Sequence, residues 1–180
     1  MVPVSVLMAD VRGYTTMTEG LAPVELTVLV NRFYEAGSAA LLSADGLLGQ
    51  IEGDLVMGLF VPGLAGRQQY RRKSVEGALG LFDAVGYGRR GGNWLNLGIG
   101  IATGEEFVGN VGGGGYKDFT ALGDVTNTSA RLSSAAAAGE LLVDEVTYDA
   151  VAGDHPEAER RELELKGKSA PVVAYALRVS

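Results

Sequence analysis

The run from Val4 to Thr16, VSVLMADVRGYTT, constrains the rest of the chain more than any other stretch. Its first half is apolar and partly β-branched, which selects an extended strand, and the strand stops on Asp10. A short loop with Gly13 and two threonines follows, and a helical stretch begins within a few residues. A carboxylate at a strand tip, beside a glycine turn and a helix start, suits a metal held next to phosphate. The carboxylate supplies hard oxygen ligands, and the loop supplies backbone N–H groups for an anion. Strand-end aspartates also cap helices and turns, so Asp10 gains weight from a second, similar aspartate further on.

The chain has 180 residues, a length that predicts one domain, residues 1–180, with a substantial core. Its 47% hydrophobic and 21% charged content is that of a soluble globular protein. No apolar run reaches the roughly 20 residues that cross a bilayer, and no signal peptide is visible. The expectation is therefore a domain without membrane insertion. Because the chain starts almost directly on a strand, excision from a longer protein with a fused regulatory domain is compatible with it. The absence of cysteine excludes disulfides and thiolate metal sites and fits a cytoplasmic location. A net charge of −7 argues against a general nucleic-acid binder, though not against a phosphate ligand accompanied by divalent metal. The single histidine, His155, supports neither a catalytic triad nor a zinc site alone.

Pro23 suits the first turn of a helix, and Leu26, Leu29, Val30, Phe33, Gly37, Ala40 and Leu41 recur at helical spacing to about residue 43. After an Asp45-Gly46 turn, strands are expected over Leu47–Glu52 and Leu55–Val61, with Asp54 at the hairpin tip. On turn chemistry alone, Asp54 reads first as a turn carboxylate. Residues 62–66 read as a loop, and Val75, Ala78, Leu79, Phe82 and Val85 mark the core face of a second helix. Trp94–Thr103 reads as a buried strand whose glycines at 98 and 100 allow close approach of a neighbouring backbone. Another strand is expected over Glu105–Val111, and glycines 112 to 115 read as a hairpin tip because no Lys-Ser/Thr follows them as in a P-loop.

Asp124 is a suitable cap for an alanine-rich helix to Ala138. Its Asn127 and Arg131, four residues apart, are either a solvated pair or a clamp for phosphate and ribose. A strand over Glu140–Val143, a short helix over 144–152 and strands near 160–166 and 171–178 complete the chain. The lysines of Leu165-Lys166-Gly167-Lys168 either end in solvent or reach a triphosphate. Strands interleaved with about four helices predict an α+β sandwich, with helices mainly on one side of the sheet.

With these pieces placed, the chain resembles the catalytic domain of class III nucleotidyl cyclases, the adenylate and guanylate cyclases. The resemblance rests on MADVRGYT, GDLVMGLF, GIGIATGEEFVGNVG, FTALGDVTNTSARL and LKGK, which occur in the family's order from Val4 to about Leu177. It implies a ferredoxin-like βαββαβ core with extra elements, working as a homodimer with a nucleoside triphosphate at the interface. By position, Asp10 and Asp54 resemble the metal-binding aspartates, with the Val11 carbonyl as a further ligand. Arg12, Gly13, Tyr14 and Thr15 correspond to the loop facing the β- and γ-phosphates. Asn127 resembles the residue that orients ribose, Arg131 the one that stabilises charge at the α-phosphate, and Lys166 the lysine at the triphosphate. In the family these last three come from the other subunit.

Two base-reading positions are Gln50, where the family usually has Lys, and Thr120, often Asp in adenylate cyclases and Thr in many bacterial ones. The implied reaction is attack of the ribose 3′-oxygen on the α-phosphorus, with loss of pyrophosphate, supported by two Mg²⁺ or Mn²⁺ ions. The substrate expected is ATP before GTP. The rival is a weakly active cyclase-like module that dimerises and senses nucleotide for signalling. Gln50 favours that rival; the intact Asp10, Asp54, Asn127 and Arg131 oppose it.

Overall fold

Alternation along the first strand organises both faces of the sheet. In the computed structural model, which describes residues 1–113, 118–168 and 170–179, strand β1 spans Val2–Val11. Leu7, Ala9 and Val11 point into one core cluster and Val4, Val6 and Met8 into another, as the two-residue period of a strand requires. Helix α1 (Tyr14–Gly20) and helix α2 (Pro23–Ser43) follow. Then come the hairpin strands β2 (Leu47–Glu52) and β3 (Leu55–Phe60), the one-turn α3 (Pro62–Ala65) and α4 (Tyr70–Val85).

Strand β4 runs unbroken over Leu97–Val111, where the glycine-rich composition predicts two strands, and its far end pairs with β5 (Asp118–Leu122). The expected tip at glycines 112 to 115 lies partly outside the described residues. Helix α5 covers Asp124–Ala135, and β6 (Glu140–Asp144), α6 (Glu145–Tyr148), β7 (Glu159–Leu163) and β8 (Val172–Arg178) finish the chain.

The main strand order is β2-β3-β1-β4-β6-β8-β7. Each of its first four strands is antiparallel to its neighbour within that set, which with α2 and α4 gives the βαββαβ ferredoxin-like core. Only β4 and β6 pair in parallel among the described strands. Helices α2 and α4 cover one face through Phe33, Leu41, Val75, Leu81, Phe82 and Val85. Helix α5 covers the other through Leu132, with Ala136 just past its end. The sheet is thus covered on both sides, against the expectation of helices mainly on one. α5 is short and rich in Ala and Ser, so its apolar stripe is too weak to announce a second core in the sequence.

What seats α5 is the pair of glycines anticipated for close backbone approach. Ser129 donates its hydroxyl to the Val6 and Gly100 carbonyls at 2.8 and 3.0 Å, and Ser133 to the Gly98 carbonyl at 3.1 Å. A Cβ at Gly100 would stand 2.2 Å from the Ser133 nitrogen and 2.4 Å from the Ser129 carbonyl oxygen, both rigid helical backbone. Gly100→Ala is therefore expected to push α5 off the sheet and cost about 3 kcal/mol, the upper end for overpacking. Denaturant unfolding checks this, and an unchanged midpoint would refute it.

Candidate active site

Asp10 ends β1 and Asp54 sits in the β2–β3 turn, and the fold joins the two ends directly. The Val11 N–H donates to the Asp54 carbonyl at 3.1 Å. The two side chains interact: Asp10 is pushed up to about 6, first by burial, with Asp54 raising it further through its charge and a hydrogen bond, while Arg12 pulls the other way. Tyr34 of α2 donates its hydroxyl to the Gly53 carbonyl at 2.7 Å and so clamps the turn that carries Asp54. Nothing in the sequence marks Tyr34, because its partner is a backbone atom nineteen residues away.

Among the described residues, no three His, Cys, Asp or Glu groups converge into a metal site. A cation between Asp10 and Asp54 therefore needs further oxygens, of the kind a backbone carbonyl or a triphosphate supplies. Two carboxylates that stand close enough to interact are a donor set that fits a hard divalent cation.

The adjoining loop differs in one respect from the expectation. The Arg12 N–H donates to the Asn96 carbonyl at 2.8 Å, and its guanidinium donates to Asp10 and to the carbonyls of Ser133 and Ser134. Arg12 is thus engaged within its own chain. Gly13, with φ of 72°, is the N-cap of α1, whose first turn contains Tyr14 and Thr15. First-turn N–H groups have no intrahelical partner and are the donors available to an anion.

The second set of residues is carried by α5 and the β7–β8 connection. Asn127 is exposed on α5 and Arg131 is half-buried four residues later. Lys166 is exposed in the β7–β8 connection, where it shares with Arg131, Glu164 and Gly167 an open cavity of about 510 Å³. Gly167 has φ of 79°, and a Cβ there would lie 3.0 Å from Arg131 Nη2, so the turn lies against the arginine head. Of the two lysines in LKGK, Lys168 is tied to Asp124 at 2.6 Å. This leaves Lys166 as the lysine facing the cavity. The start of α5 is braced from β4, where the buried Glu106 accepts from the Thr126 N–H at 2.8 Å and from its hydroxyl. A carboxylate there caps an otherwise unpaired donor and favours the helix dipole. That role is not legible in the sequence, since Glu106 and Thr126 are twenty residues apart.

Gln50 lies half-buried on β2 and donates its amide to Glu52 at 3.2 Å. Thr120 is buried on β5, which lies against β2. Asp54 and the Arg131–Lys166 pair line different cavities of the single chain.

The fold and these motifs define a class III cyclase-type domain. The family of adenylate and guanylate cyclase catalytic domains matches residues 1–178, and the chain belongs to that family. An adenylate cyclase of Anabaena cylindrica is 30% identical over 131 residues, which are 71% of this chain and 26% of that protein. The chain thus spans about a quarter of that relative's length. Among solved structures, the guanylyl cyclase Cya2 superposes with a TM-score of 0.85 at 27% identity, covering 99% of this chain and 93% of that one. The adenylyl cyclase CyaB from P. aeruginosa superposes with a TM-score of 0.83 at 29% identity, covering 99% and 94%. Among the described residues, no helix is long and apolar enough to cross a membrane.

Proposed function

We propose that this domain converts a purine nucleoside triphosphate, ATP before GTP, into its 3′,5′-cyclic nucleotide and pyrophosphate at the interface of a homodimer. The observation that carries the reading is the division of the site. One chain carries paired carboxylates at one end of β1 and an Asn–Arg–Lys set on α5 and the β7–β8 connection, with Asp54 and the Arg131–Lys166 pair lining different cavities, so a twofold pairing would complete two sites from two halves.

In this reading Asp10, Asp54 and the Val11 carbonyl hold two Mg²⁺ or Mn²⁺ ions together with the triphosphate. When bound, the ions would lower the pKa of the attacking 3′-hydroxyl and neutralise charge on the departing pyrophosphate. The loop at Gly13, Tyr14 and Thr15 offers its N–H groups to the β- and γ-phosphates. From the second copy, Asn127 orients the ribose, while Arg131 and Lys166 offer fixed donors where charge grows at phosphorus. Preorganised donors of this kind are commonly the largest catalytic contribution. No side-chain general base is needed.

The direct test is formation of cyclic nucleotide and pyrophosphate from each of the four triphosphates with Mg²⁺ or Mn²⁺. The expected result is metal-dependent product from ATP, with measurable product from GTP. Failure with all four would replace this reading by that of a dimerising, nucleotide-sensing module, which Gln50 favours.

Gln50 and Thr120 govern the second expectation. Amide and hydroxyl groups both donate and accept, so the base pocket they form accepts either purine edge and discriminates loosely. Pockets built on a definite hydrogen-bond pattern reach about 10⁴-fold selectivity, and this one is expected to fall well short. Gln50→Lys should raise the ratio of kcat/KM for ATP over GTP. A wild-type protein strongly selective for ATP, losing activity with Lys at 50, would refute this account of the base pocket.

A further inference from the structure

Arg12 links Asp10 to the last turn of α5, the helix that carries Asn127 and Arg131. Its Nη2 donates to Asp10 Oδ2 and to the Ser133 carbonyl, each at 2.8 Å, and its Nη1 reaches the Ser134 carbonyl at 3.3 Å. The guanidinium therefore sits between a carboxylate and the carbonyl-bearing last turn of α5, the negative end of that helix. The seat is built for it. A Cβ at Gly98 would lie 2.7 Å from Arg12 Nε and 2.9 Å from both Cζ and the Ala136 carbonyl oxygen, so a side chain at 98 would displace the guanidinium from this position. Nε itself is buried without a partner, so the head is held there by its two terminal nitrogens. A planar fork spans these acceptors at once; a lysine ammonium on its flexible stem does not.

We propose that Arg12 is a positioning residue that holds the Asp10 carboxylate and the last turn of α5 as one unit. Cation binding in one site then tightens the helix that the same chain contributes to the other site. This rests on the reading of Asp10 as a metal ligand. Arg12 engages Oδ2, which fixes the rotation of the carboxylate and leaves the other oxygen free of the guanidinium. Hydrogen-bonded partners that orient a metal ligand typically contribute 10–100-fold to metal affinity. Arg131 lies only two residues before Ser133, so a firmer last turn also restrains the arginine offered to the partner's site.

The test uses Mn²⁺ alone, without nucleotide, so that no ligand contact to Arg131 contributes. Binding is followed by electron paramagnetic resonance and the amides of residues 132–136 by hydrogen exchange. In the wild-type chain, Mn²⁺ should bind and slow exchange in that turn, and Asp10→Asn should lose both effects. In Arg12→Gln, affinity should fall roughly 10–100-fold, and the last turn of α5 should no longer respond to saturating Mn²⁺. Arg12→Lys keeps the charge but on a single nitrogen that cannot fork between the acceptors; it serves as the control if Arg12→Gln folds poorly, and should lose the exchange response as well. A purely structural Arg12 would lower the melting temperature and leave Mn²⁺ affinity unchanged. Wild-type affinity in both Arg12 variants, or slowing of exchange that persists in them, overturns the proposal. If Asp10→Asn binds Mn²⁺ as the wild type does, the metal assignment fails instead, and the role of Arg12 falls with it.

Discussion

An Asp54→Ala chain and an Arg131→Ala chain, each inactive alone, are expected to regain activity when mixed under conditions that exchange subunits. In the proposed homodimer, each site takes its carboxylates from one chain and its Arg131 from the other. A mixed dimer then has one site carrying both lesions and one carrying neither. With random exchange, half the dimers are mixed and each has one of two sites intact, so activity should approach about a quarter of the wild-type value. The effect is close to all-or-none because neither parent contributes background. Cyclic nucleotide formation before and after mixing measures it, with subunit exchange followed separately by a mass tag. No recovery despite exchange would show that the halves do not meet across a twofold axis.

Asp10→Asn should abolish turnover and, in the same protein without metal, raise stability. Losing a ligand to a catalytic cation removes several kcal/mol of charge stabilisation, about 10³-fold or more in rate. The stability effect has the opposite sign because burial and the neighbouring Asp54 push Asp10 up to about 6 in the folded chain, against 3.8 for the free side chain. Below the lower value both states are protonated and Asp10 contributes nothing. Between the two, the unfolded chain ionises first, so metal-free stability falls as pH rises, and above about 6 the whole penalty is present. Asparagine carries no such penalty and still offers an oxygen to Arg12. Asp10→Asn should therefore gain on the order of 2 kcal/mol at pH 7.5 and little near pH 4, allowing for the partial exposure of the carboxylate. Metal-free melts at the two pH values check this. Adding Mn²⁺ should reverse the order by stabilising the wild type alone. A variant that melts with the wild type at both pH values, or retains turnover, would remove Asp10 from the site.

Elements with strong local signals are legible in the amino-acid sequence alone. Pro23–Ser43 forms as its spacing of Leu26, Leu29, Phe33, Gly37 and Leu41 predicts, and the hairpin around Gly53-Asp54 forms at the expected strands. The glycines at 98 and 100 are also readable as a point of close backbone approach, because a missing side chain in a buried strand has few other uses. Where the signal is weak or the partner distant, the chain is silent. β5 is only implied by the hairpin tip read at the glycine run: Phe119 and Ala121 alternate with Asp118 and Thr120 over too few residues to mark a strand, and pairing with β4 makes them one. Whether Asn127 and Arg131 are solvated or clamping cannot be read from helical spacing, which gives a face and not what the face meets. Tertiary contacts assign Lys168 to Asp124 and leave Lys166 at the cavity with Arg131, a distinction that two lysines two residues apart do not carry in themselves. The position of Arg12 shows the same limit most clearly. Sequence neighbours put it in the loop after Asp10, but its side chain answers to carbonyls 121 and 122 residues away. A long, charged side chain goes where acceptors gather, here at a helix end, and only the folded chain brings those to it.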